Sequence, residues 1–161
     1  MTKIRAGLGW DSHRIVSGRK LVLGGVEIPA DFGLDGHSDA DILSHAITDA
    51  ILGACGLGDI GMHFPDSDPK WKDADSLQFL RHAEKLACDA GFALVNVDAT
   101  VVMEKPKLAE HRNAIRKKLS EALKLACSSV SVKFKTAEHV GPVGEGKSAE
   151  AQAIVLLHSK Y

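Results

Sequence analysis

Residues 37–49 read HSDADILSHAITD, in which a polar start is followed by a regular apolar pattern. The apolar residues recur at three- and four-residue spacing, which is typical of an amphipathic helix that packs one face against a core. They are Ile42, Leu43, Ala46, Ile47, Ala50 and Ile51. The pattern predicts a helix that begins near residue 37, ends near residues 56–58 and lies against the centre of the fold.

The same stretch carries ionisable side chains on a second face. Asp41, His45 and Asp49 are four residues apart, so a helix places them in line. An imidazole between two carboxylates suits a metal ligand that is oriented by carboxylate partners. The alternative is a capped helix, in which Ser38 and Asp41 form a capping box and His45 is a half-buried side chain without a ligand. The spacing alone leaves both interpretations open.

The composition indicates one globular domain. A chain of 161 residues is long enough to bury roughly two-thirds of its surface on folding. Its net charge of -1, with 25% charged and 45% hydrophobic residues, is ordinary for a soluble protein. These values lack the basic excess of a nucleic-acid-binding surface and give no signal for an anionic membrane. We therefore expect a single domain over residues 1–161, with neither nucleic acid nor membrane as a partner.

Cysteine usage and the N-terminus indicate the compartment. Cys55, Cys88 and Cys127 are odd in number and far apart, which favours reduced structural thiols over a disulfide framework. The start MTKIRAG lacks the apolar core of a signal peptide, and no apolar run approaches the length of a membrane span. We expect a cytoplasmic protein, or a plastid or similar location if a transit peptide has been removed.

Strand and helix patterns alternate along the remaining chain. Apolar and β-branched runs predict strands at 4–11, 92–103, 130–135 and 149–158, and helical spacing predicts helices at 73–90 and 108–126. Two short apolar runs around Gly24 and Gly25 predict a hairpin at 21–28. Loops or turns are predicted at 29–36, 59–72 and 141–146.

This element order favours an α+β fold. We expect a mixed β-sheet covered by helices on one face, a small β-hairpin and a ferredoxin-like arrangement. Gly7 and Gly9 lie within the first predicted strand, which indicates that another part of the molecule approaches its backbone closely.

Four separated motifs match those of a known family in the same order. Residues 7–14 read GLGWDSHR, residues 37–41 read HSDAD with His45 after them, residues 57–61 read LGDIG and residues 64–69 read FPDSDP. Together they resemble the 2-C-methyl-D-erythritol 2,4-cyclodiphosphate synthase family over nearly the whole chain.

The resemblance implies a cyclising phosphorus–oxygen lyase of the non-mevalonate isoprenoid pathway. Such an enzyme converts 4-diphosphocytidyl-2-C-methyl-D-erythritol 2-phosphate to the cyclic diphosphate and CMP, by attack of the 2-phosphate on the β-phosphorus. The resemblance also implies a homotrimer with active sites at the subunit interfaces. A metal-dependent phosphohydrolase and a non-catalytic trimer that binds cytidine nucleotides are the alternatives.

A zinc site is the first expectation within this resemblance. Asp11 and His13 are two residues apart on a predicted strand, so both side chains project from one face and can reach one ion. His45 can complete the set from the helix. Two imidazoles and one carboxylate leave the fourth position of a tetrahedral zinc open, as in catalytic sites, and the family has its zinc here. Without a metal, Asp11 would be a turn residue and His13 a surface side chain.

Phosphate contacts are the second expectation. His37 and Ser38 stand at the predicted helix start, where free N–H groups and the helix dipole favour a phosphate. By resemblance, His37 and Thr136 stabilise the transition state. Glu138 matches the family's ligand for a second divalent ion, Mg²⁺ or Mn²⁺, which bridges the diphosphate.

The resemblance extends to the whole substrate. Asp59 and Gly61 match contacts to the methylerythritol hydroxyls, and residues 103–109 match the segment that surrounds the cytidine, which arrives from another subunit. The implied substrate-binding positions are Asp11, Ser12, His13, His37, Ser38, Asp59, Ile60, Gly61, Phe64, Pro65, Asp66, Ser67, Asp68, Met103, Pro106, Lys107, Leu108, Ala109, Lys135, Thr136, Ala137 and Glu138.

One stretch departs from the family pattern. Residues 139–147 read HVGPVGEGK, whereas many members have a longer stretch with a phenylalanine and an arginine. In those members the two side chains help to line a cavity on the trimer axis that holds an isoprenoid diphosphate. We expect that ligand to lack its usual contacts here.

Overall fold

A five-stranded mixed sheet organises the molecule, which a computed structural model describes for residues 2–160. The strands are β1 (Ile4–Ser17), β2 (Leu21–Leu23), β3 (Val26–Ile28), β4 (Phe32–Leu34), β5 (Phe92–Val102), β6 (Val130–Lys135) and β7 (Ser148–Ser159). The helices are α1 (Ile42–Cys55), α2 (Ile60–His63), α3 (Leu77–Asp89), α4 (Arg112–Leu123) and α5 (Gly141–Gly144). Single 3₁₀ turns lie at Pro69–Trp71, Ala109–His111 and Cys127–Ser129.

The strand order in the sheet is β4-β1-β7-β5-β6. Only β5 and β6 are joined in parallel, and the other neighbours in this sheet of the described chain are antiparallel. Strands β2 and β3 form a separate hairpin. The predicted α+β class, with a mixed sheet and a small hairpin, is confirmed.

Helices cover one face of the sheet. On β7 the alternate residues Ala149, Ala151, Ala153, Val155 and Leu157 are buried, because they face the helices. Helix α1 packs on β1 and β7, α3 packs on β5, and α4 packs on β6. The opposite face is left open, and it presents large apolar side chains. Leu8, Trp10 and Ile154 are 68%, 54% and 54% exposed there.

Strand β1 and helix α1 approach each other at two glycines. A Cβ atom added to Gly7 would lie 1.9 Å from the carbonyl oxygen of Ala50, and one added to Gly9 would lie 1.9 Å from that of Ala46. Any side chain at these positions would push the helix away from the strand. The prediction of a close backbone approach is therefore confirmed, and its partner is α1.

The predicted hairpin is tied to the start of α1 by a buried carboxylate. Gly24 and Gly25 turn the hairpin with φ of 56° and 72°, values that suit glycine. Their N–H groups donate to Asp41 at 2.9 and 2.8 Å. Asp41 also accepts from the N–H of Ser44 at 3.0 Å and is the N-cap of α1. Burial raises the pKa of Asp41, and the negative charge of Asp39 raises it further.

The beginning of α1 differs from the prediction. The helix begins at Ile42 and not near residue 37, because Ala40 has a φ of 56°, which no right-handed helix accommodates. The capping box of Ser38 and Asp41 is therefore wrong, although the hypothesis that Asp41 caps the helix is confirmed.

Several other element boundaries in the structure differ from the predicted ones. Strand β1 continues past residue 11 because its second half pairs with β7 and then with β4, a strand inside the predicted loop 29–36. The predicted irregular segments 59–72 and 141–146 contain α2 and α5. The predicted helix 108–126 divides into a 3₁₀ turn and α4, which ends before Lys124 at a φ of 55°.

The cysteines of the described chain are free, as predicted. Cys55 is half-buried, but Cys88 and Cys127 are exposed, so the expectation of structural thiols fits only Cys55. No helix within residues 2–160 combines the length and apolar character needed to cross a bilayer.

Candidate active site

Three side chains predicted as metal ligands converge at one end of α1. Oδ2 of Asp11 lies 3.1 Å from Nε2 of His13 and 3.0 Å from Nδ1 of His45. The three ligand atoms lie within 4.8 Å of one another, so one ion can contact them all. We call Asp11, His13 and His45 the metal cluster.

The close approach of α1 to β1 produces this convergence. Gly7, Gly9, Asp11 and His13 alternate along β1 and so project from the same face. Two residues of a strand span about 6.6 Å and four residues of a helix span about 6 Å. Contacts between β1 and α1 therefore recur every two residues along the strand and every four along the helix. Beyond the contact of Gly9 with Ala46, the next step brings Asp11 to the first turn of α1, where His45 lies.

The ring of His13 is oriented by a main-chain carbonyl. Its Nδ1 bonds the carbonyl oxygen of Asp35, and because a carbonyl only accepts, Nδ1 must donate. The other ring nitrogen, Nε2, then faces Asp11. A lone pair on Nε2 and a negative carboxylate oxygen repel each other, so a proton or a cation must lie between the two atoms.

The metal cluster is also coupled electrostatically. Burial raises the pKa of Asp11, but hydrogen bonds and positive charge from His13 and His45 outweigh it and hold that pKa well below its usual range. Burial lowers the pKa of His13, but Asp11 outweighs it and raises that pKa above the usual value. The geometry thus favours a negative oxygen beside a positive charge, which either a proton or a metal ion supplies.

Of the two interpretations that the spacing left open, the one in which Asp41 and Asp49 orient His45 does not hold. Asp41 faces the hairpin, and Asp49 accepts a hydrogen bond from the N–H of Ile60 at 2.7 Å instead of from His45. The partners of His45 are Asp11, Ser38 and Ser76. Burial raises the pKa of Asp49, which lines the cavity described next.

A cavity of about 410 Å³ opens beside the metal cluster. It collects predicted residues from four separate motifs together with residues that were not predicted. Its lining comprises Asp11, His13, Gly36, His37, Ser38, His45, Asp49, Ile60, Gly61, Phe64, Pro65, Asp66, Trp71 and Phe79.

His37 and Ser38 reach this cavity from a bend and not from a helix start. Ser38 is buried and His37 is half-buried. Arg19 donates to the carbonyl oxygens of Gly36 and Ser38, each at 2.6 Å, and so holds the main chain on both sides of His37. Both residues thus line the cavity beside the metal cluster, but they precede α1, so their predicted place at the helix start is wrong.

Aromatic rings form one wall of the cavity. The ring of Phe64 lies 4.4 Å from that of Phe79 and 5.0 Å from that of Trp71, centroid to centroid. Phe64 is only 6% exposed, because these rings pack on it from two sides. The cavity therefore has a polar part at the metal cluster and an apolar wall that begins beside it, since the ring of Phe79 lies 5.9 Å from that of His45.

Three predicted residues next to the cavity have local structural partners. Asp59 accepts from the N–H of Met62 at 3.0 Å and caps α2. Asp68 accepts from the N–H of Lys70 at 3.1 Å at the start of a 3₁₀ turn. Ser12 lines a second, more open hollow with His13 and Lys147. Ser67, on the segment between α2 and the 3₁₀ turn, does not line the cavity either.

The predicted residues from Met103 onward lie on another surface, at the ends of β5 and β6. Thr136 and Glu138 are exposed, and the hydroxyl of Thr136 donates to Glu138 at 2.6 Å. The buried side of this loop is held by Glu104, which accepts from the N–H of Ala137 at 2.7 Å. Glu138 has a φ of 51°, so the loop is sharply turned.

Residues 103–109 adjoin this loop. Met103 and Leu108 are buried, so a single chain offers a ligand little of either residue. Lys107 and Ala109 are exposed, and Pro106 is partly so. None of these residues, nor Lys135, Thr136, Ala137 or Glu138, lines the cavity beside the metal cluster in the described chain. We call residues 103–109 and 135–138 together the loop surface.

Nearly the whole chain matches the model of one known protein family. The model of the YgbB family matches residues 4–158, which span both the metal cluster and the loop surface. The chain belongs to the YgbB family.

Members of this family include close relatives of known description. A 2-C-methyl-D-erythritol 2,4-cyclodiphosphate synthase from Solibacter usitatus is 67% identical over 98% of this chain and 99% of its own length. A solved 2C-methyl-D-erythritol-2,4-cyclodiphosphate synthase in a CDP-bound form is 42% identical with a TM-score of 0.88, over 95% of this chain and 99% of that chain. IspF from Plasmodium falciparum, solved as a CDP complex, is 40% identical with a TM-score of 0.86, over 98% and 97%.

The donor set of this family member fits a metal ion. Two imidazole nitrogens and one carboxylate oxygen are a combination that divalent transition metals and zinc accept. The far side of each imidazole is bonded within the protein, His13 to Asp35 and His45 to Ser76. Both rings are thereby oriented with their other nitrogen towards Asp11.

The structure also reveals residues at the site that the sequence pattern did not indicate. Ser76 and Asp39 lie behind His45, Arg19 holds the bend at His37, and Glu104 holds the loop surface. Ser76 carried only the signal of a residue before a helix. Asp39 carried only its place within the motif of residues 37–41, and Arg19 and Glu104 carried no local signal, because their partners are distant in sequence.

Proposed function

We propose that residues 1–161 act as one catalytic domain whose active site is built on the metal cluster. The family activity converts 4-diphosphocytidyl-2-C-methyl-D-erythritol 2-phosphate to 2-C-methyl-D-erythritol 2,4-cyclodiphosphate and CMP, and this chain is a lyase of that kind. The carrying observation is the convergence of Asp11, His13 and His45 beside a cavity in a chain matched over nearly its whole length.

Zinc is the ion that we assign to the metal cluster, because two imidazoles and a carboxylate with an open position are a catalytic zinc set. When bound, zinc supplies positive charge that orients phosphate oxygens and offsets their charge. For Glu138 we propose a second divalent ion, Mg²⁺ or Mn²⁺, because an exposed carboxylate and substrate phosphates are the oxygen ligands such ions prefer.

Residues around the cavity would hold the reacting end of the substrate. His37 and Ser38 reach the cavity beside the metal cluster and can donate to the 2-phosphate. Ile60 and Gly61 line the part of the cavity suited to the methylerythritol, beside Asp59 at the start of α2.

The aromatic wall has a role in the outcome of the reaction. Phe64, Trp71 and Phe79 offer no charged group at the cavity wall that could activate a water molecule as nucleophile. An oxygen of the 2-phosphate then attacks the β-phosphorus, the bond from that phosphorus to the bridging oxygen of CMP breaks, and CMP leaves with that oxygen. No water enters the product, and Thr136 and His37 would stabilise charge on the phosphoryl oxygens.

A homotrimer would complete the site. The loop surface lies apart from the cavity within one chain, so we propose that it serves the cavity of a neighbouring subunit and binds the cytidine there. The open sheet face offers a contact surface, since Leu8, Trp10 and Ile154 are exposed on adjacent strands.

A product assay in heavy-oxygen water tests this function. With the 2-phosphate substrate and Mg²⁺ we expect CMP and an unlabelled cyclic diphosphate. Label in the phosphate products would instead indicate a phosphohydrolase, and binding of cytidine nucleotide without turnover would indicate a non-catalytic protein.

A further inference from the structure

A buried chain of hydrogen bonds leads away from the metal cluster behind His45. Nε2 of His45 lies 2.8 Å from Oγ of Ser76, a fully buried residue at the start of α3. The hydroxyl of Ser76 in turn donates to Oδ1 of Asp39. Asp39 also accepts from the N–H groups of Ser76 at 3.0 Å and Asp41 at 3.1 Å.

The direction of these bonds determines where the proton of His45 lies. A serine hydroxyl has one hydrogen, and that of Ser76 is used on the carboxylate of Asp39. Oγ of Ser76 can therefore only accept from His45, so Nε2 must carry a proton. In the neutral ring, the form that binds a metal, Nδ1 is then left with a lone pair, and it is Nδ1 that lies 3.0 Å from Asp11 in the metal cluster.

We propose that Ser76 and Asp39 are positioning residues that fix the tautomer of His45 and thereby prepare its Nδ1 to bind the metal. The inference rests on the metal site of the proposed function and adds to it two residues outside the ligand set. Both act through His45, because Ser76 bonds the ring nitrogen that does not face Asp11 and Asp39 in turn bonds Ser76.

A purely structural role for the hydroxyl of Ser76 is a poor explanation of these contacts. At the start of α3 the N–H of Leu77 donates to Asp75 at 2.9 Å, and the hydroxyl of Ser76 makes no capping bond. Segments 37–39 and 73–76 are also joined by main-chain bonds, from the N–H of Asp73 to His37 at 2.9 Å and from that of Asp39 to Ala74 at 3.2 Å. Removal of the hydroxyl alone leaves this framework in place.

Ser38 limits the loss of metal affinity that we expect when the hydroxyl of Ser76 is removed. Its Oγ lies 3.1 Å from Nε2 of His45 and can accept part of the same hydrogen bond. Loss of a hydrogen-bond partner behind a metal-bound histidine typically costs 10- to 100-fold in metal affinity, and we expect about tenfold for Ser76→Ala because Ser38 remains.

The test is zinc affinity of the full-length protein, measured by competition with a chromogenic chelator. Ser120→Ala is the matched control, because Ser120 is also buried and its hydroxyl donates to the carbonyl of Lys117 at 2.8 Å, away from the cluster. We expect Ser76→Ala to bind zinc about tenfold more weakly and Ser120→Ala to bind it like the wild type. The free energy of unfolding of the metal-free variants, measured in urea, should fall by similar amounts for both.

A second readout reports the tautomer itself. In the zinc-loaded wild type, nitrogen-15 NMR should show His45 with a protonated Nε2 that exchanges slowly with water, and Ser76→Ala should speed that exchange. Equal zinc affinity and equal exchange in Ser76→Ala and wild type would overturn the inference while leaving the zinc site intact. Wild-type affinity no higher than that of His45→Ala would overturn the proposed zinc site and this inference with it.

Discussion

The metal cluster and the loop surface are held by the chain in different ways. Asp11 and His45 sit on two long elements that meet at glycines, and their side chains are largely buried and bonded on several sides. Thr136 and Glu138 are exposed, lie beyond the end of β6 and bond mainly to each other, with Glu104 as the buried anchor below them. One chain therefore prepares the metal cluster alone, whereas in the function that we propose the loop surface becomes part of a site only with substrate and a neighbouring subunit.

Loss of a ligand from the metal cluster should have the largest effect. His45→Ala should abolish stoichiometric zinc and reduce turnover by about 100- to 1000-fold, the range for loss of an electrostatic contact to the transition state. Metal analysis and the CMP-release assay provide the measurement.

His111→Ala is the control, because His111 lies at the start of α4 beside Glu110 and not in the cavity. Zinc content equal in the two variants would contradict the assignment of His45.

The approach of α1 to β1 should be the next most sensitive feature. Gly9→Ala places a Cβ atom 1.9 Å from the carbonyl of Ala46, so the helix must move and the protein should lose about 1–3 kcal/mol of stability or more. Zinc affinity should fall with it, because His45 moves with the helix.

Gly53→Ala is the matched control, since Gly53 lies on the same helix with open space around it. It should stabilise the protein by up to about 1 kcal/mol in urea unfolding. A stable, zinc-binding Gly9→Ala protein would show that the close approach does not build the site.

Substitution of Glu104, which anchors the loop surface, should lower turnover and leave the metal cluster intact. Glu104→Leu removes the acceptor for the N–H of Ala137, and we expect kcat to fall by about tenfold, with unchanged zinc content. Glu104→Gln keeps an acceptor oxygen and should lose less. A parallel loss of zinc would show that the two surfaces are not held independently.

A surface ion pair next to the loop surface should have the smallest effect. The hydrogen bond from Lys133, at 2.6 Å, lowers the pKa of Asp98, although burial opposes it. A lowered pKa means that the stabilisation is present above the unfolded pKa of Asp98 and is lost as the pH falls through the folded value.

Lys133→Ala should thus cost less than about 1 kcal/mol at pH 7 and nothing in acid, measured by urea unfolding at several pH values. A loss of stability that is larger in acid than at pH 7 would contradict this pH dependence.

Local periodicity and the family motifs together make part of the fold and part of the candidate site predictable from the sequence. The two-residue repeat of a strand predicts Asp11 and His13 as partners. The helix pattern around His45 leaves its role open, and the resemblance to the family is what selects it as the third ligand. The bend at His37 and Ser38 was not, because nothing local signals the left-handed Ala40. Asp39 and Ser76 meet across 37 positions of sequence, and only the folded chain brings them to His45.

Subunit mixing tests the central claim that one chain supplies the metal cluster and its neighbour the loop surface. His45→Ala and Thr136→Ala proteins, each inactive alone, would be unfolded and refolded together, and CMP release would be measured. If the halves of each site come from different subunits of a trimer, random mixing restores about a quarter of the sites, and activity returns to that level. No return of activity in refolded, mixed trimers would contradict the account.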